Sequence, residues 1–475
     1  MKEYLYQAEM SEEEKMKRNL RFYFALFFAK CTALVLKLIG RKGTSMPGSW
    51  AIILCPDFLG RIEKPKRVIG ITGTNGKTTV ANMVEDVLED QGYDFTCNRS
   101  GTNVNTGVAS SLIADSTFWG RPKKDLAVFE LDERSSPKIL QHIKPELLLC
   151  TNIFRDSYKR NAHMEFILDI LNKSIPLETK LILNGDDLLC AGIRPENERV
   201  YYGIQQMPGE TPEIKNIVCD VRSCPQCAES LTWDFIRYHH IGRAHCQHCG
   251  FVSPGCTYEV TDIQSADMEI RIGDEKCRYP LANDSLINVY NSLSAVAFLS
   301  EFGIPRDKII GSMRMLSISE SRYQETTVNE KKIILHLAKG QNPVACSRVF
   351  DNVRKYPGRK AAMLFIEDYF DAAKSVENMS WLYDTDFEFL GDESITQIVV
   401  AGARHLDTYV RLLLADVPEE RISHTTENND AAAFLKPELF DAVFILYDVY
   451  TIGLANGMKS QVAKILEERG TENEG

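Results

Sequence analysis

The chain has no excess of positive charge: 55 lysines and arginines stand against 66 aspartates and glutamates, a formal net charge of −11 over 475 residues. That balance argues against general nucleic-acid binding through the phosphate backbone, which needs a cationic surface. An apolar run long enough for a transmembrane helix is also missing. The best candidate, Phe22 to Ile39, is interrupted by Lys30 and Lys37 and flanked by Arg18, Arg21 and Arg41. It reads as a helix packed on the first domain, with peripheral membrane contact as a second reading. No export signal is legible, because Met1 to Arg18 is charged throughout and no small-residue cleavage site follows an apolar core. Repeats and low-complexity tracts are lacking as well. The 13 cysteines are therefore expected as reduced thiols, some of them on a metal, in the cytoplasm or at the inner face of the membrane.

What is there points to a multidomain α/β enzyme. At 53.8 kDa the chain exceeds what one hydrophobic core serves. From Arg67 onward strands and helices alternate: Val68 to Thr72, Val80 to Gln91, Leu126 to Leu131, Leu147 to Asn152, Leu181 to Asn184, then Val200 to Tyr202. This is the rhythm of a parallel, doubly wound sheet. Trp50 to Leu54 reads as a short edge strand. A second α/β series has strands at Ile333 to Ala338, Ala361 to Ile366, Gln397 to Ala401 and Ala442 to Leu446. Three regions follow: 1–60, a helix and connector; 61–320, a central domain with an insertion at 221–256; and 321–475, a C-terminal α/β domain.

Between the first strand and its helix lies Gly73-Thr74-Asn75-Gly76-Lys77-Thr78-Thr79, which reads as a phosphate-binding loop. Lys77 is expected on the β- and γ-phosphates of ATP and Thr78 on Mg²⁺. Ile71 stands where the usual pattern has its first glycine. Glu130, ending the strand Leu126 to Leu131, is a second candidate for Mg²⁺, with Glu133 and Asp132 beside it and a solvated loop carboxylate as the alternative. Thr151-Asn152, then Arg155, Asp156, Arg160 and His163, follow another strand end. Asp186 and Asp187 follow a further one, at the edge where such sheets bind ligands. Cys224-x₂-Cys227 and Cys246-x₂-Cys249 have the paired-knuckle spacing that holds Zn²⁺ with four thiolates, a closed and hence structural site.

Ile71 to Thr79 resembles the ATP loop of the Mur ligases, and Asn288-Val289-Tyr290-Asn291-Ser292-Leu293-Ser294-Ala295 is similar to their adenine-side helix motif, so Asn288 and Asn291 are implied as nucleotide contacts. Within that superfamily the chain resembles the MurT family, the ligase-like subunits of lipid II isoglutaminyl synthases. The likeness is carried by Gly43-Thr44-Ser45-Met46-Pro47-Gly48, Asn98-Arg99-Ser100-Gly101, the four-cysteine insertion, Thr151-Asn152-Ile153-Phe154-Arg155-Asp156 and Ser380-Trp381-Leu382-Tyr383-Asp384. It implies a Mur-ligase central P-loop ATPase domain with a zinc-ribbon insertion, followed by a partner-contacting C-terminal domain. The implied reaction is ATP-dependent amidation of the α-carboxylate of D-glutamate in lipid II, using ammonia from a GatD-type class I glutaminase. Asp384 is then the carboxylate that reaches the partner and orients its catalytic histidine, with Asp368 and Asp386 as alternatives. The chain has no Cys-His glutaminase signature of its own. A self-sufficient Mur-type amino-acid ligase and an ATP-binding scaffold without turnover are the competing readings.

Overall fold

An apolar, β-branched run bounded by a glycine-rich turn favours a buried parallel strand. In the computed structural model of the protein, β1 (Arg67–Thr72) is such a strand, paired on both sides and buried from its second residue onward. The structure describes residues 18–41, 43–99, 102–155, 163–264, 266–315, 323–366, 378–448 and 451–472. The chain divides into two compact units. One comprises Met1–Ile153, Met164–Pro212 and Val221–Leu316, the other Phe154–His163, Glu213–Asp220 and Ser317–Gly475.

In the first unit β1 is joined in parallel by β2 (Phe95–Cys97), β3 (Leu126–Glu130), β4 (Leu147–Cys150), β5 (Lys180–Asn184) and β6 (Arg199–Ile204). The hairpin of β7 (Thr232–Tyr238) and β8 (Ile241–His245) stands apart from them. After it, β9 (Tyr258–Gln264) adds in parallel to β6, and β10 (Asp267–Ile272) and β11 (Glu275–Pro280) continue antiparallel. The described order is β2-β3-β1-β4-β5-β6-β9-β10-β11. The chain first travels to one side of β1 and then, with β4, to the other. The crevice beyond the carboxyl ends of β1, β3 and β4 is thus a topological switch point, where open α/β sheets bind ligands.

The expected strand at Trp50 to Leu54 is instead the end of a helix, Met46–Leu54. Five apolar residues do not distinguish the two periodicities. The deciding signals lie upstream, in Pro47 in the first turn and in the three- and four-residue spacing of its buried Pro47, Gly48 and Ala51. This helix packs against Leu20–Leu38, whose Phe22, Ala25, Leu26 and Ala29 enter the core with Phe58, Val108 and Ile113.

The second unit holds β12 (Tyr323–Val328), β13 (Lys331–Leu337), β14 (Lys360–Phe365), β15 (Ile395–Ala401), β16 (Ile422–Thr425) and β17 (Ala442–Tyr447), in the order β12-β13-β17-β14-β15-β16. All pairings but β12 to β13 are parallel. Alternate residues serve opposite faces: Ile334, Ala362 and Leu364 pack with the helix Pro343–Lys355, and Ile333, Leu335 and Met363 with Ile452–Glu472.

Candidate active site and metal centre

The helix after β1 begins at Lys77, earlier than the apolar run suggests, so the loop Gly73–Gly76 abuts its N-terminus. Both glycines are obligatory. Gly73 has φ +116°, and a Cβ there would lie 2.2 Å from the Thr151 hydroxyl; Gly76 has φ +89°, and its Cβ would lie 2.4 Å from Asn291 Oδ1. The loop is held from β4's end: Thr74 N donates to Asn152 O (2.8 Å), and Asn75 N to Asn152 Oδ1 (3.0 Å). Asn75 O accepts from Thr151 Oγ1 (2.7 Å) and Asn152 Nδ2 (2.9 Å). Thr151-Asn152 thus acts as a clamp on the loop, a role local sequence does not reveal because the partners are 76 and 77 residues apart.

Lys77 Nζ donates to Gly73 O and to Glu133 at 3.1 and 3.3 Å. Burial works against the lysine's charge, yet Glu133, Glu130 and Asp132 together hold its pKa above the ordinary lysine value. Burial in turn pushes the Glu133 carboxyl up, and Lys77 pulls it back. An ammonium fixed at the mouth of a helix N-terminus, balanced by a carboxylate that a phosphate can replace, is arranged for polyphosphate.

Glu130 pairs with Ile71 across β1 and β3, and its backbone is gripped by Asn98, which donates to Glu130 O (2.8 Å) and accepts from Glu130 N (2.9 Å). Its carboxylate accepts from Asn103 (3.0 Å). Thr78 is exposed in the first helical turn, with Thr79 half-buried beside it. Of the two helix asparagines, Asn291 faces Gly76, whereas Asn288 spends its amide on Asn283 O (2.8 Å).

Asp186 and Asp187, expected at a ligand edge, are consumed internally and fully buried. Asp187 caps a short helix through Leu189 N and Cys190 N, and also accepts from Ile153 N (2.7 Å). Asp186 anchors the β7–β8 hairpin: it accepts from Arg237 (2.9 Å), Arg243 (3.0 Å), Tyr290 (2.7 Å) and Ile204 N (2.7 Å).

The hairpin lies between the two cysteine pairs. The four Sγ atoms lie within 4.8 Å of one another, with 3.6 Å between Cys224 and Cys249 and between Cys227 and Cys246. A tetrahedral zinc thiolate with Zn–S of about 2.3 Å needs sulfur separations near ~3.8 Å, so the donor set fits. The two knuckles match: Ala228 N returns to Cys224 O and Gly250 N to Cys246 O, each from a left-handed residue, φ 63° and 76°. Ala228 takes this conformation at a cost of roughly 1–2 kcal/mol.

In the second unit, Asp384 ends the short helix Trp381–Asp384, its side chain 18% exposed. It is paired with Arg155 (2.8 Å), whose Nε is fixed by Asp220 (2.6 Å). Asp386 is not open to a partner: it is 1% exposed, and its oxygens accept from Asn216 (2.8 Å) and Ile217 N (2.7 Å). Asp368 lies outside the described residues, as do Asp156, Arg160, Ser100 and Gly101.

Comparison with known proteins places this architecture. Residues 71–216 match the Mur ligase middle domain and residues 339–451 the MurT ligase C-terminal family. Among solved structures, a pseudomurein peptide ligase type C from Methanothermus fervidus superposes with a TM-score of 0.65 over 86% of this chain and 81% of that one, at 21% identity. MurF ligase from Thermotoga maritima in complex with ADP gives 0.57 over 89% and 85%, at 14% identity. The protein thus has the fold of the Mur ligases, which use ATP and Mg²⁺. It is also 31% identical over 402 residues to the lipid II isoglutaminyl synthase (glutamine-hydrolyzing) subunit MurT of Staphylococcus aureus strain COL, covering 84% of this chain and 89% of the relative. The Streptococcus pneumoniae R6 subunit of the same name is 29% identical, with 86% and 90% covered. The chain belongs to the MurT family.

Proposed function

We propose that this chain is the ATP-consuming ligase subunit of an amidotransferase that converts the α-carboxylate of D-glutamate in the lipid II stem peptide to D-isoglutamine, for peptidoglycan synthesis. The observation that carries the reading is its identity with MurT subunits over nearly their whole length. Ammonia comes from a GatD-type class I glutaminase partner, since this chain has no glutaminase signature.

In this reading the backbone N–H groups of Gly73 to Lys77 receive the phosphates of ATP, and Lys77 exchanges Glu133 for the β- and γ-oxygens. Thr78 and Glu130 would hold Mg²⁺, whose charge would offset that developing on the transferred group. Asn291, against Gly76, sets the nucleotide side of the loop, with Asn288 one helical turn before it. The substrate carboxylate attacks the γ-phosphorus and ADP leaves; ammonia then attacks the acyl phosphate carbon, and phosphate departs. The clamp of Thr151 and Asn152 keeps the loop from shifting between the two steps.

Asp384 is assigned to the partner's catalytic histidine as a positioning carboxylate. The isolated chain should amidate lipid II with ammonium salt at raised pH, where more free NH₃ is present, and do nothing with glutamine. Asp384→Asn keeps an oxygen for Arg155, so it should spare the ammonia-dependent reaction and impair the glutamine-dependent reaction of the pair far more. Equal loss in both assays, followed by mass spectrometry of the product, would move Asp384 to the ligase site. Glutamine use by the isolated chain would overturn the division of labour.

Cys224, Cys227, Cys246 and Cys249 are assigned one structural Zn²⁺. Elemental analysis of protein purified without chelator should find one zinc per chain, and stripping it should loosen the hairpin without altering which substrate is amidated. Metal-free protein of full stability contradicts the assignment.

A further inference from the structure

The helix Leu20–Leu38 is apolar on both sides, although only one side is in the core. Phe22, Ala25, Leu26 and Ala29 are buried, while Leu20, Phe24, Phe27, Leu34 and Leu38 form a stripe along the opposite face, 59 to 88% exposed. Such a helix is ordinarily covered. The exposed surface extends beyond it: Phe28 meets Trp50 edge-on at 5.5 Å, Tyr23 meets Trp119 at 6.1 Å, and the Lys30 ammonium lies 5.8 Å from the Phe118 ring. Phe118 and Trp119 are themselves 77 and 69% exposed at a turn. No helix among the described residues is long and apolar enough to cross a membrane.

Charge identifies what covers this face. Residues 15–56 hold eight lysines and arginines and not one aspartate or glutamate, in a chain whose net charge is −11. A second copy packed isologously would set these cations against themselves with no acid in the segment to answer them. Arg18 is already paired with Glu63 (2.6 Å) and Lys30 donates to the carbonyls of Ile113 and Ser116, but Arg21, Lys37 and Arg41 are exposed. A layer of anionic headgroups answers these, and exposed tryptophan and phenylalanine beside cations suit the interface between headgroups and acyl chains. We propose that the outer face of Leu20–Leu38, with Trp50, Phe118 and Trp119, docks on an anionic lipid bilayer. The helix lies in the plane of the surface rather than spanning it. The dock would bring the phosphate loop to a membrane-anchored substrate, and to that extent it rests on the function proposed above.

The test is co-sedimentation of the full-length protein with vesicles of phosphatidylglycerol and phosphatidylcholine, against phosphatidylcholine alone. Tryptophan emission and acrylamide quenching are followed in parallel. Binding to the anionic vesicles, lost in high salt and weakened at least tenfold by Phe24→Ser with Phe27→Ser or by Phe118→Ser with Trp119→Ser, is the expected result. All four side chains are solvent-facing, so both variants should fold, as thermal melting verifies. Equal binding to neutral vesicles, no binding, or unaltered binding by both variants overturns the proposal. So does self-association that consumes the face, seen as a dimer abolished by Phe27→Ser. Amidation of a detergent-dispersed, short-chain substrate separates the two readings: variants that amidate normally but no longer sediment support the dock. A protein that sediments as expected but never amidates refutes the proposed function and leaves the dock standing.

Discussion

Lys77→Ala is expected to abolish ATP-dependent amidation with the fold retained. The ammonium sits on Gly73 O and Glu133 at the start of a helix, and under the proposed function its catalytic value arises when phosphate charge takes the place of Glu133. The alanine variant also leaves Glu133, 5% exposed, without its cation. The control is therefore the double variant Lys77→Ala with Glu133→Gln, which removes the stranded carboxylate and should fold as well as the parent yet remain inactive. Loss of activity by both, measured as amidated product per ATP, fits the assignment. Activity within about tenfold of wild type, a barrier difference of roughly 1.4 kcal/mol, overturns it. Recovery in the double variant would show that the lysine serves only to neutralise Glu133.

Asp186→Ala should be the most damaging change outside the loop. Its carboxylate is buried and receives Arg237 and Arg243 from the β7–β8 hairpin and Tyr290 from a distant helix. Arg237 has a fully buried side chain; it retains Glu210 and the carbonyls of Ile204 and Gln205, but loses its principal carboxylate. Breaking a buried ion pair from one side costs on the order of 3–5 kcal/mol. The loss should be read as faster hydrogen exchange in β7 and β8, with the metal content of the purified protein, measured by elemental analysis, unchanged from the parent. A loss below about 1 kcal/mol would mean that the remaining partners hold Arg237. Tyr290 adjoins Asn291, which abuts Gly76, so nucleotide affinity should fall in the same variant.

These two residues mark the limit of what the chain reveals in one dimension. The reading of Lys77 rests on glycine, lysine and threonine at fixed spacing after a strand, a pattern with one common use. Asp186 is equally visible as a carboxylate at a strand end, and there the same rule misleads: it names an edge where ligands bind but not which side chains at that edge are free. Arg237 and Tyr290, which occupy Asp186, lie 51 and 104 residues away. Asp384 and Asp386 could not be told apart for the same reason, and Asp368 lies outside the described residues. Only the fold buries Asp386 under Asn216 and Ile217 and leaves Asp384 partly exposed on Arg155.

The elements follow a similar division. Long apolar runs such as those of β1, β13 and β17 announce themselves, because strands buried on both faces need no polar alternation. The three-residue β2 and the half-exposed β16 carry no such pattern and exist because a neighbouring strand offers its edge. By itself the sequence determined the alternating α/β order, the phosphate loop and the four cysteines, since each is set by contacts among residues close along the chain. Tertiary structure alone decided that Thr151 and Asn152 clamp the loop, that Glu133 rather than Glu130 pairs with Lys77, and that one face of Leu20–Leu38 stays uncovered. Each depends on which distant segments the sheet brings together, and that is set by how the whole chain buries its apolar surface.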